Sequence, residues 1–547
     1  MERNASLRVT AGVATTLLAL QPTFAQSTEP PAGGAPAAEP AAAPRDRIRV
    51  SLPASAAGLL DGGPREGRML LFLAGPSAPR AEDPCDAPFL DAPQPVYGTD
   101  VAELRPGEPV TIDADAAAFP GPLDGLDGTY RLQAVFRRNR DERGHLGPGN
   151  LVSAVREVRF DRGAPESVDV DLVRRIEAPA LPSAPNLRWF EMRSELLSRA
   201  AGRDVVMRAG LALPPGWADP NNRRRFFPAV YVVPWFGARW TDAARIARLL
   251  AAPDTSALMA PAVHVVLDPE APLGHHGFVD SPANGPRGTA LVQELIPALE
   301  REFRLVARPE ARIVTGHSSG GWSALWLQLA HPDAFGACFA SSPDPVDFSR
   351  FQACDLYRDA SLFTDGEGRE RPMFRTTVAA GFDKVGCTVR DAVATERVIG
   401  PGLDSGGQWD TWAAMWSPVD PSTRRPRPPC DAATGTIDRA VVDGSWSRFD
   451  VAGLVRRDPA RHVPVLRERV RLLCGAQDNF LLDRGVEGLR DAAAAGAEEL
   501  MSRGQMLADG PGYVEIVPGL DHRSMYPAAA LRWHGEMREH LRRNGLD

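Results

Sequence analysis

The chain has 547 residues, 44% of them hydrophobic and 24% charged, which is enough for two or three globular domains. Its formal net charge of −8 provides no basic surface for nucleic acid, so we expect a small-molecule partner and no nucleic acid. The six cysteines lack metal-ligand spacing, although up to three disulfides are compatible with their number. We predict no metal and no cofactor.

The first 25 residues have the pattern of a secretory signal. Arg3 and Arg8 precede an apolar run from Ala11 to Leu20, and small residues precede a cleavage point after Ala25. A membrane anchor is the weaker interpretation, because the run is shorter than the roughly 20 residues that cross a bilayer. Residues 26–46 are rich in Pro and Ala and are predicted to be a disordered linker. We expect an exported chain, periplasmic or secreted, without an integral membrane segment after signal removal.

Residues 47–178 alternate between apolar and polar side chains. The period of two is clear in Tyr130, Leu132, Ala134 and Phe136, and it indicates half-buried strands. Pro and Gly turns separate several such runs, which favours a small antiparallel domain that resembles a β-sandwich. This domain has no evident chemistry of its own.

Residues 187–547 alternate between strands and helices, which predicts an α/β domain with a mostly parallel sheet. A helix is expected from Leu291 to Phe303, kinked at Pro297. Residues from about 344 to 461 interrupt the alternation and are too many for a loop, so we interpret them as an inserted cap. The predicted strands are Val205–Leu213, Ala229–Val233, Val263–Leu267, Arg312–Thr315, Ala337–Ala340, Val470–Cys474 and Tyr513–Val517.

The sequence Gly316-His-Ser-Ser-Gly320 is a G-x-S-x-G motif. Its small residues allow the sharp turn from strand to helix that exposes a serine hydroxyl above a sheet. An apolar strand precedes it, and a helix with Trp322 on its buried face is expected to follow. The context indicates that Ser318 is the nucleophile of an α/β-hydrolase fold.

A nucleophilic serine requires a histidine base and an acid, which follow the serine in this fold on loops after later strands. Asp478 follows the strand that ends at Cys474, with Asp483 as a competing acid. His522 follows the last strand and is favoured over His534 and His540, which fall within a helix. The predicted triad is therefore Ser318, Asp478 and His522.

Two backbone N–H groups are needed to stabilise the oxyanion of the tetrahedral intermediate. Ser319, directly after the nucleophile, supplies one. The loop after strand Ala229–Val233 supplies the other, with Phe236 as the choice and Trp235 as the alternative.

Several further residues are candidates for lining the substrate pocket. The loop after strand Val263–Leu267 lies at the carboxyl edge of the sheet, where ligands bind, and contains two adjacent histidines. Bracing of the loop is a simpler role for these histidines than metal binding. Trp409, Trp412 and Trp416 recur at helical spacing in the cap, where they either pin the cap to the body or roof the pocket. The pocket candidates are Trp235, His276, Asn284, His317 and Trp412.

From Leu187 to Arg542 the chain resembles the esterase D and enterochelin-esterase-like branch of the α/β hydrolases. The resemblance rests on Phe227-Pro-Ala-Val-Tyr-Val-Val, Gly316-His-Ser-Ser-Gly-Gly321, Gly475-Ala-Gln-Asp478 and Gly519-Leu-Asp-His522. It implies a serine esterase with the triad and oxyanion residues named above. Pro234-Trp235 departs from the His-Gly usual in such enzymes, and Leu520 to Arg523 departs from the usual Gly-His-Asp-Trp.

The expected reaction is hydrolysis of a small-molecule carboxylic ester through an acyl-enzyme. An acyltransferase of the same fold and a serine peptidase are alternatives, since both use the same triad. A protein that binds ligands without catalysis is disfavoured, because candidates for all three triad positions are present.

Overall fold

The computed structural model describes residues 48–546, except 77, 79–82, 87–89, 140, 143, 162–166 and 378–382. The predicted signal (1–25) and the predicted linker (26–46) lie outside the described residues, and from Pro44 onward the chain forms one unit. Within the described ranges, no helix combines the length and apolar character that would let it span a membrane.

Nine strands between Ile48 and Arg175 pair into one continuous sheet that folds over its own core. All neighbours are antiparallel except the first and last strands, Ile48–Ser51 and Val168–Arg175, which pair in parallel. The remaining strands are Gly67–Ala74, Val96–Val101, Val110–Ile112, Ala117–Phe119, Gly128–Arg137, Leu151–Ser153 and Arg156–Phe160.

The strand Gly67–Ala74 is apolar on both faces, and the structure explains why. Met69, Leu71 and Leu73 belong to the core inside the folded sheet. Leu70 and Phe72 point to the opposite face, where Val398 of the cap covers them. A strand buried on both faces loses the alternation of a half-buried strand.

The second sheet has eight strands, and along the sheet they lie in the order 1-2-4-3-5-6-7-8, counted from Leu187. The second strand pairs antiparallel with the strands on both sides of it, and all the other neighbouring pairs are parallel. This topology confirms the α/β-hydrolase fold. The strands are Leu187–Arg193, Val206–Ala212, Ala229–Val233, Val263–Leu267, Arg312–His317, Ala337–Ser341, Val470–Gly475 and Tyr513–Val517.

The helix predicted from Leu291 to Phe303 is irregular directly before Pro297. Residues Leu291–Leu295 form a π-helical turn, and a regular helix continues over Ile296–Phe303. Proline cannot donate to a carbonyl one turn back and its ring crowds that carbonyl, so the preceding turn widens. The other helices of the hydrolase body are Glu195–Ala201, Ala243–Ala251, Pro253–Ser256, Arg287–Ala290, Ser319–Ala330, Leu482–Ser502 and His522–Arg543.

The insertion between strands Ala337–Ser341 and Val470–Gly475 contains a hairpin and five α-helices. The last two helices pack against Leu482–Ser502 and so belong to the helical layer of the body. The earlier part forms the cap over the carboxyl edge of the sheet. The hairpin is Pro372–Thr377 with Asp383–Thr388, and the helices are Val389–Ile399, Gln408–Trp416, Arg439–Gly444, Val451–Arg457 and Pro459–Arg469.

Candidate active site

Ser318 lies at the turn between strand Arg312–His317 and helix Ser319–Ala330, with φ of 58° and ψ of −126°. The surrounding backbone is so close that larger residues do not fit. A Cβ at Gly316 would lie 2.1 Å from the carbonyl oxygen of Gly320, and one at Gly320 would lie 2.1 Å from that of Val233. The Ser318 N–H donates to the carbonyl of Ser341 at 2.9 Å, which fixes the turn. The glycines of the motif thus permit the strained serine conformation.

His522 and Asp478 form the buried polar pair that the sequence analysis predicts. Nδ1 of His522 lies 2.8 Å from Oδ2 of Asp478. Burial alone would raise the pKa of Asp478, but the charge and hydrogen bond of His522 and the N–H groups of Phe480 and Leu482 outweigh it and lower that pKa. The carboxyl is therefore held ionised against the imidazole.

The competing acid and bases lie elsewhere. Asp483 pairs with Arg375 at 3.7 Å, and burial raises its pKa to about 6. His540 is hydrogen bonded to the carbonyl of Glu310 at 2.8 Å, and His534 lies further along the same C-terminal helix. The structure thus brings Asp478 and His522 together and leaves their competitors in other contacts.

Ser318 and His522 line one cavity of about 1030 Å³ between the body, the cap and the N-terminal domain. Three of the five pocket candidates, Trp235, His317 and Trp412, line it as well, and so does the oxyanion candidate Phe236. Asp478 is fully buried beside His522, and Ser319 is the first residue of the helix that follows Ser318. Further apolar lining residues are Leu90, Leu146, Met373, Phe374, Ile399, Phe480 and Leu482.

The loop that follows strand Ala229–Val233 is fixed from two sides. Nε2 of His275 donates to the carbonyl of Pro234 at 2.9 Å. The Trp235 ring packs edge-on against Tyr526, with ring centroids 5.2 Å apart. Phe236 lies in the turn closed by Ala238 N–H and the Trp235 carbonyl at 3.0 Å, next to Gly237 at φ of 92°. The positive φ at Gly237 is a left-handed conformation that glycine adopts without strain.

His276 and Asn284 do not line the cavity, so their assignment to the pocket is corrected. Nδ1 of His276 accepts from the N–H of Phe278 at 3.1 Å, and burial lowers the pKa of this histidine well below its usual value. The Asn284 side chain donates to the carbonyl of Ala414 at 3.4 Å. Both side chains brace the loop and its contact with the cap, because they satisfy buried polar groups there.

Asp344 is a pocket residue that the sequence analysis missed. It is 4% exposed, lines the cavity, and accepts hydrogen bonds at Oδ2 from Ser319 Oγ at 2.8 Å, Trp412 Nε1 at 2.9 Å and Gln408 Nε2 at 3.2 Å. Burial raises its pKa, although the hydrogen bonds from Trp412 and Ser319 and the charge of His522 oppose the shift. Its position three residues after strand Ala337–Ser341, at the carboxyl edge of the sheet, is the signal that could have revealed it.

Two of the three tryptophans of helix Gln408–Trp416, Trp412 and Trp416, fill the two expected roles. Trp416 is fully buried and packs against Trp322 of helix Ser319–Ala330, with ring centroids 5.2 Å apart. Trp412 stacks on Trp416 at 5.8 Å and also lines the cavity. The stripe therefore pins the cap to the body and supplies part of the pocket wall.

An α/β-hydrolase fold with a serine at its nucleophile turn defines the chain as a serine hydrolase. Residues 199–483 match the family model described as "Putative esterase", which covers more than half of the chain. The chain belongs to this esterase family and is a carboxylic ester hydrolase.

The solved structures with similar folds share little sequence with the chain. A ferulic acid esterase from Anaeromyces mucronatus is 12% identical, with 65% of this chain and 93% of that chain covered and a TM-score of 0.29. An S-formylglutathione hydrolase from Agrobacterium tumefaciens is 16% identical over 65% and 98%, with a TM-score of 0.33. MPT51 (FbpC1) from Mycobacterium tuberculosis is 16% identical over 65% and 99%, with a TM-score of 0.34. No curated protein matches the chain.

Proposed function

We propose that the protein hydrolyses esters with a bulky apolar group through a covalent acyl-enzyme on Ser318. The observation that carries the proposal is the 2.8 Å contact of His522 Nδ1 with Asp478, on the wall of the cavity that contains Ser318. The Asp478 carboxylate accepts a hydrogen bond from Nδ1–H of His522, which leaves Nε2 of His522 as the acceptor for the serine proton. The orientation of His522 thus suits a general base.

The reaction then has two halves. As Oγ of Ser318 attacks the ester carbonyl, its proton moves to Nε2 of His522 and from there to the departing alcohol. A water molecule attacks the acyl-enzyme next, gives its proton to His522, and the carboxylic acid leaves as Oγ recovers that proton. Asp478 stabilises the imidazolium in both halves.

The oxyanion formed in each half needs fixed donors. We assign the N–H of Ser319 as one donor, because the first N–H groups of a helix have no acceptor within that helix. The helix dipole adds to its effect. We assign the N–H of Phe236 as the second donor, since Phe236 lines the same cavity on the braced loop after strand Ala229–Val233.

The size and lining of the cavity support a bulky ester. Its volume of about 1030 Å³ is at the upper end of small-molecule sites, which hold roughly 300–1,000 Å³. Phe236, Phe374 and Phe480 contribute aromatic surface to its walls.

We also propose export to the periplasm or secretion, which the signal-like residues 1–25 support. N-terminal sequencing of the mature chain tests this proposal, and we expect the mature chain to start near Gln26.

The test uses a fluorophosphonate probe, which phosphonylates activated serines, followed by peptide mass analysis. We expect the label on Ser318, loss of label and of ester turnover in Ser318→Ala, and an unchanged fold by circular dichroism. Ser323→Ala is the matched control, because Ser323 lies in the same helix and its hydroxyl donates to the Ser319 carbonyl at 2.6 Å. Turnover near the parent rate in Ser318→Ala, or a label at another serine, would exclude the mechanism. Product analysis with added alcohol separates hydrolysis from acyl transfer.

A further inference from the structure

The N-terminal domain contributes a loop to the wall of the catalytic cavity. Residues Gly144, His145, Leu146 and Gly147, which follow strand Gly128–Arg137, line the same cavity as Ser318. Leu90 of this domain lines it too. The sequence indicates no chemistry for this domain, yet its side chains are in reach of whatever the cavity binds.

The loop is held in shape from within its own domain. The fully buried Asn150 donates through Nδ2 to the carbonyl of His145 at 3.0 Å, and its Oδ1 accepts from the N–H of Arg138 at 2.8 Å. The His145 ring packs on Phe72, with centroids 4.5 Å apart, and Nε2 donates to the carbonyl of Cys85 at 2.7 Å. Burial lowers the pKa of His145 to about 4, so the ring stays neutral at neutral pH.

Two ion pairs attach the base of the loop to the hydrolase body. Arg203 NH1 lies 2.8 Å from Oδ1 of Asp141, and Arg239 NH1 lies 3.1 Å from Oε2 of Glu142. Both arginines belong to the catalytic domain, and Arg239 itself lines the cavity. A loop braced from inside and attached at its base presents Leu146 in a fixed position, as a preorganised binding wall requires.

We propose that Leu146 is a specificity-determining residue, with which the N-terminal domain selects esters that carry an extended apolar group. Leu146 is 38% exposed and lines the cavity, and Leu90 of the same domain contributes a second apolar side chain to the cavity wall. An apolar chain that crosses the cavity from Ser318 would cover this leucine and remove its exposed surface from water. This inference rests on the ester hydrolysis proposed above.

The kinetic test compares Leu146→Ala with Val155→Ala. Val155 is also 38% exposed and belongs to the same domain, but it is not among the lining residues of the cavity. Three esters are used: methyl acetate, methyl hexanoate, which is extended on the acyl side, and hexyl acetate, which is extended on the alcohol side. For Leu146→Ala we expect kcat/KM to fall about tenfold on one extended ester and to stay within twofold on methyl acetate. Val155→Ala should leave kcat/KM unchanged on all three esters.

A second test measures proximity without turnover. All six native cysteines are buried, so a thiol at position 146 in Leu146→Cys is the site where maleimide reacts. We expect that phosphonylation of Ser318 by a probe with a twelve-carbon chain slows this reaction at least fivefold, whereas a methyl probe does not. In Val155→Cys, neither probe should change the rate.

Equal kcat/KM losses on all three esters would overturn the role of Leu146. A maleimide reaction rate that the twelve-carbon probe leaves unchanged would also overturn it. Both results are readable only if the parent protein hydrolyses esters and labels at Ser318. If the parent does neither, the proposed function fails instead, so the two failures are distinguishable.

Discussion

The indole N–H of Trp412 donates to Oδ2 of Asp344 at 2.9 Å, which joins helix Gln408–Trp416 of the cap to the segment directly after strand Ala337–Ser341. Ser319 Oγ reaches the same oxygen at 2.8 Å. One buried carboxylate therefore connects a tryptophan of the cap with the residue proposed as an oxyanion donor. Loss of either hydrogen bond should therefore lower the rate of the reaction proposed at Ser318.

We expect Trp412→Phe to lose about 1.5–3 kcal/mol of stability through the hydrogen bond to Asp344, because the carboxylate keeps its burial with one donor fewer. Trp416→Phe is the control, since within the described chain the Trp416 Nε1 has no hydrogen-bond partner. Both changes replace an indole by a phenyl ring, so the difference in denaturation midpoint isolates the hydrogen bond. Trp412→Phe should also lower kcat/KM on a bulky ester, and equal effects of the two variants would contradict this role.

The acid of the triad is tested by two asparagine substitutions. Asp478→Asn should lower kcat by about 10⁴, because the amide favours the wrong tautomer of His522. Asp483→Asn should lower kcat less than threefold, since Asp483 pairs with Arg375. The measurement is kcat on a soluble ester after active-site titration. A severe loss in Asp483→Asn with a mild one in Asp478→Asn would reverse the assignment.

The sequence predicted seven of the eight strands of the body sheet to within two residues at each end and missed the first, Leu187–Arg193. Ala229–Val233 and Val263–Leu267 match the structure because buried parallel strands are short, continuous apolar runs bounded by turns. The positions of Asp478 and His522 could be predicted for a related reason. Asp478 follows strand Val470–Gly475 and His522 follows strand Tyr513–Val517, both at the carboxyl edge of the sheet. The apolar pattern of each strand and the chain order of the triad residues in this fold were sufficient to place these elements and residues.

The lining of the pocket was predicted less well. His276 and Asn284 lie on a loop at the correct edge, but their side chains turn to buried partners in the loop and cap. Leu146 is more than 170 residues before Ser318 in sequence, and only the packing of two domains brings it to the cavity. Such contacts depend on how separate elements pack, which periodicity within one segment does not report.

Glu396 should make the stability of the protein depend on pH. It is buried and accepts the N–H groups of Trp409 and Asp410, and desolvation together with the charge of Asp410 raises its pKa well above the ordinary 4.5. The folded state therefore holds this proton at pH values where the unfolded chain has released it. Stability from this group is complete below about pH 4.5 and is lost as pH rises toward the folded-state pKa, by up to about 1.4 kcal/mol per pH unit.

We expect Glu396→Gln to flatten this dependence, since the amide oxygen still accepts a backbone N–H and no proton is released. The melting temperature of the parent should fall between pH 5 and pH 8 by more than that of Glu396→Gln, with the variant the more stable at pH 8. Glu370→Gln is the control, because Glu370 is an exposed residue paired with Arg390 on the surface. Parallel melting curves for the parent and Glu396→Gln across this range would contradict a raised pKa.

His275 should support the catalytic rate because it holds in place the loop that carries the proposed oxyanion donor Phe236. Its Nε2 donates to the carbonyl of Pro234 at 2.9 Å, and its Nδ1 accepts from the N–H of Gly277 at 3.2 Å. Removing an oxyanion donor costs about 10²–10³ in kcat, and a donor that is displaced rather than lost should cost less. We therefore expect His275→Ala to lower kcat by about 10–100-fold, with a smaller change in KM.

The neighbouring His276→Ala provides the comparison, because His276 is equally buried but bonds within its own loop to the N–H of Phe278. Both variants should melt at a lower temperature, so kcat is measured per serine labelled by fluorophosphonate, which counts only folded sites. We expect His276→Ala to keep kcat within threefold of the parent. In His275→Gln the side-chain amide can still donate to Pro234, and part of the rate should return. If His275→Ala and His276→Ala lowered kcat equally, or if Gln restored nothing, the hydrogen bond to Pro234 would serve stability alone.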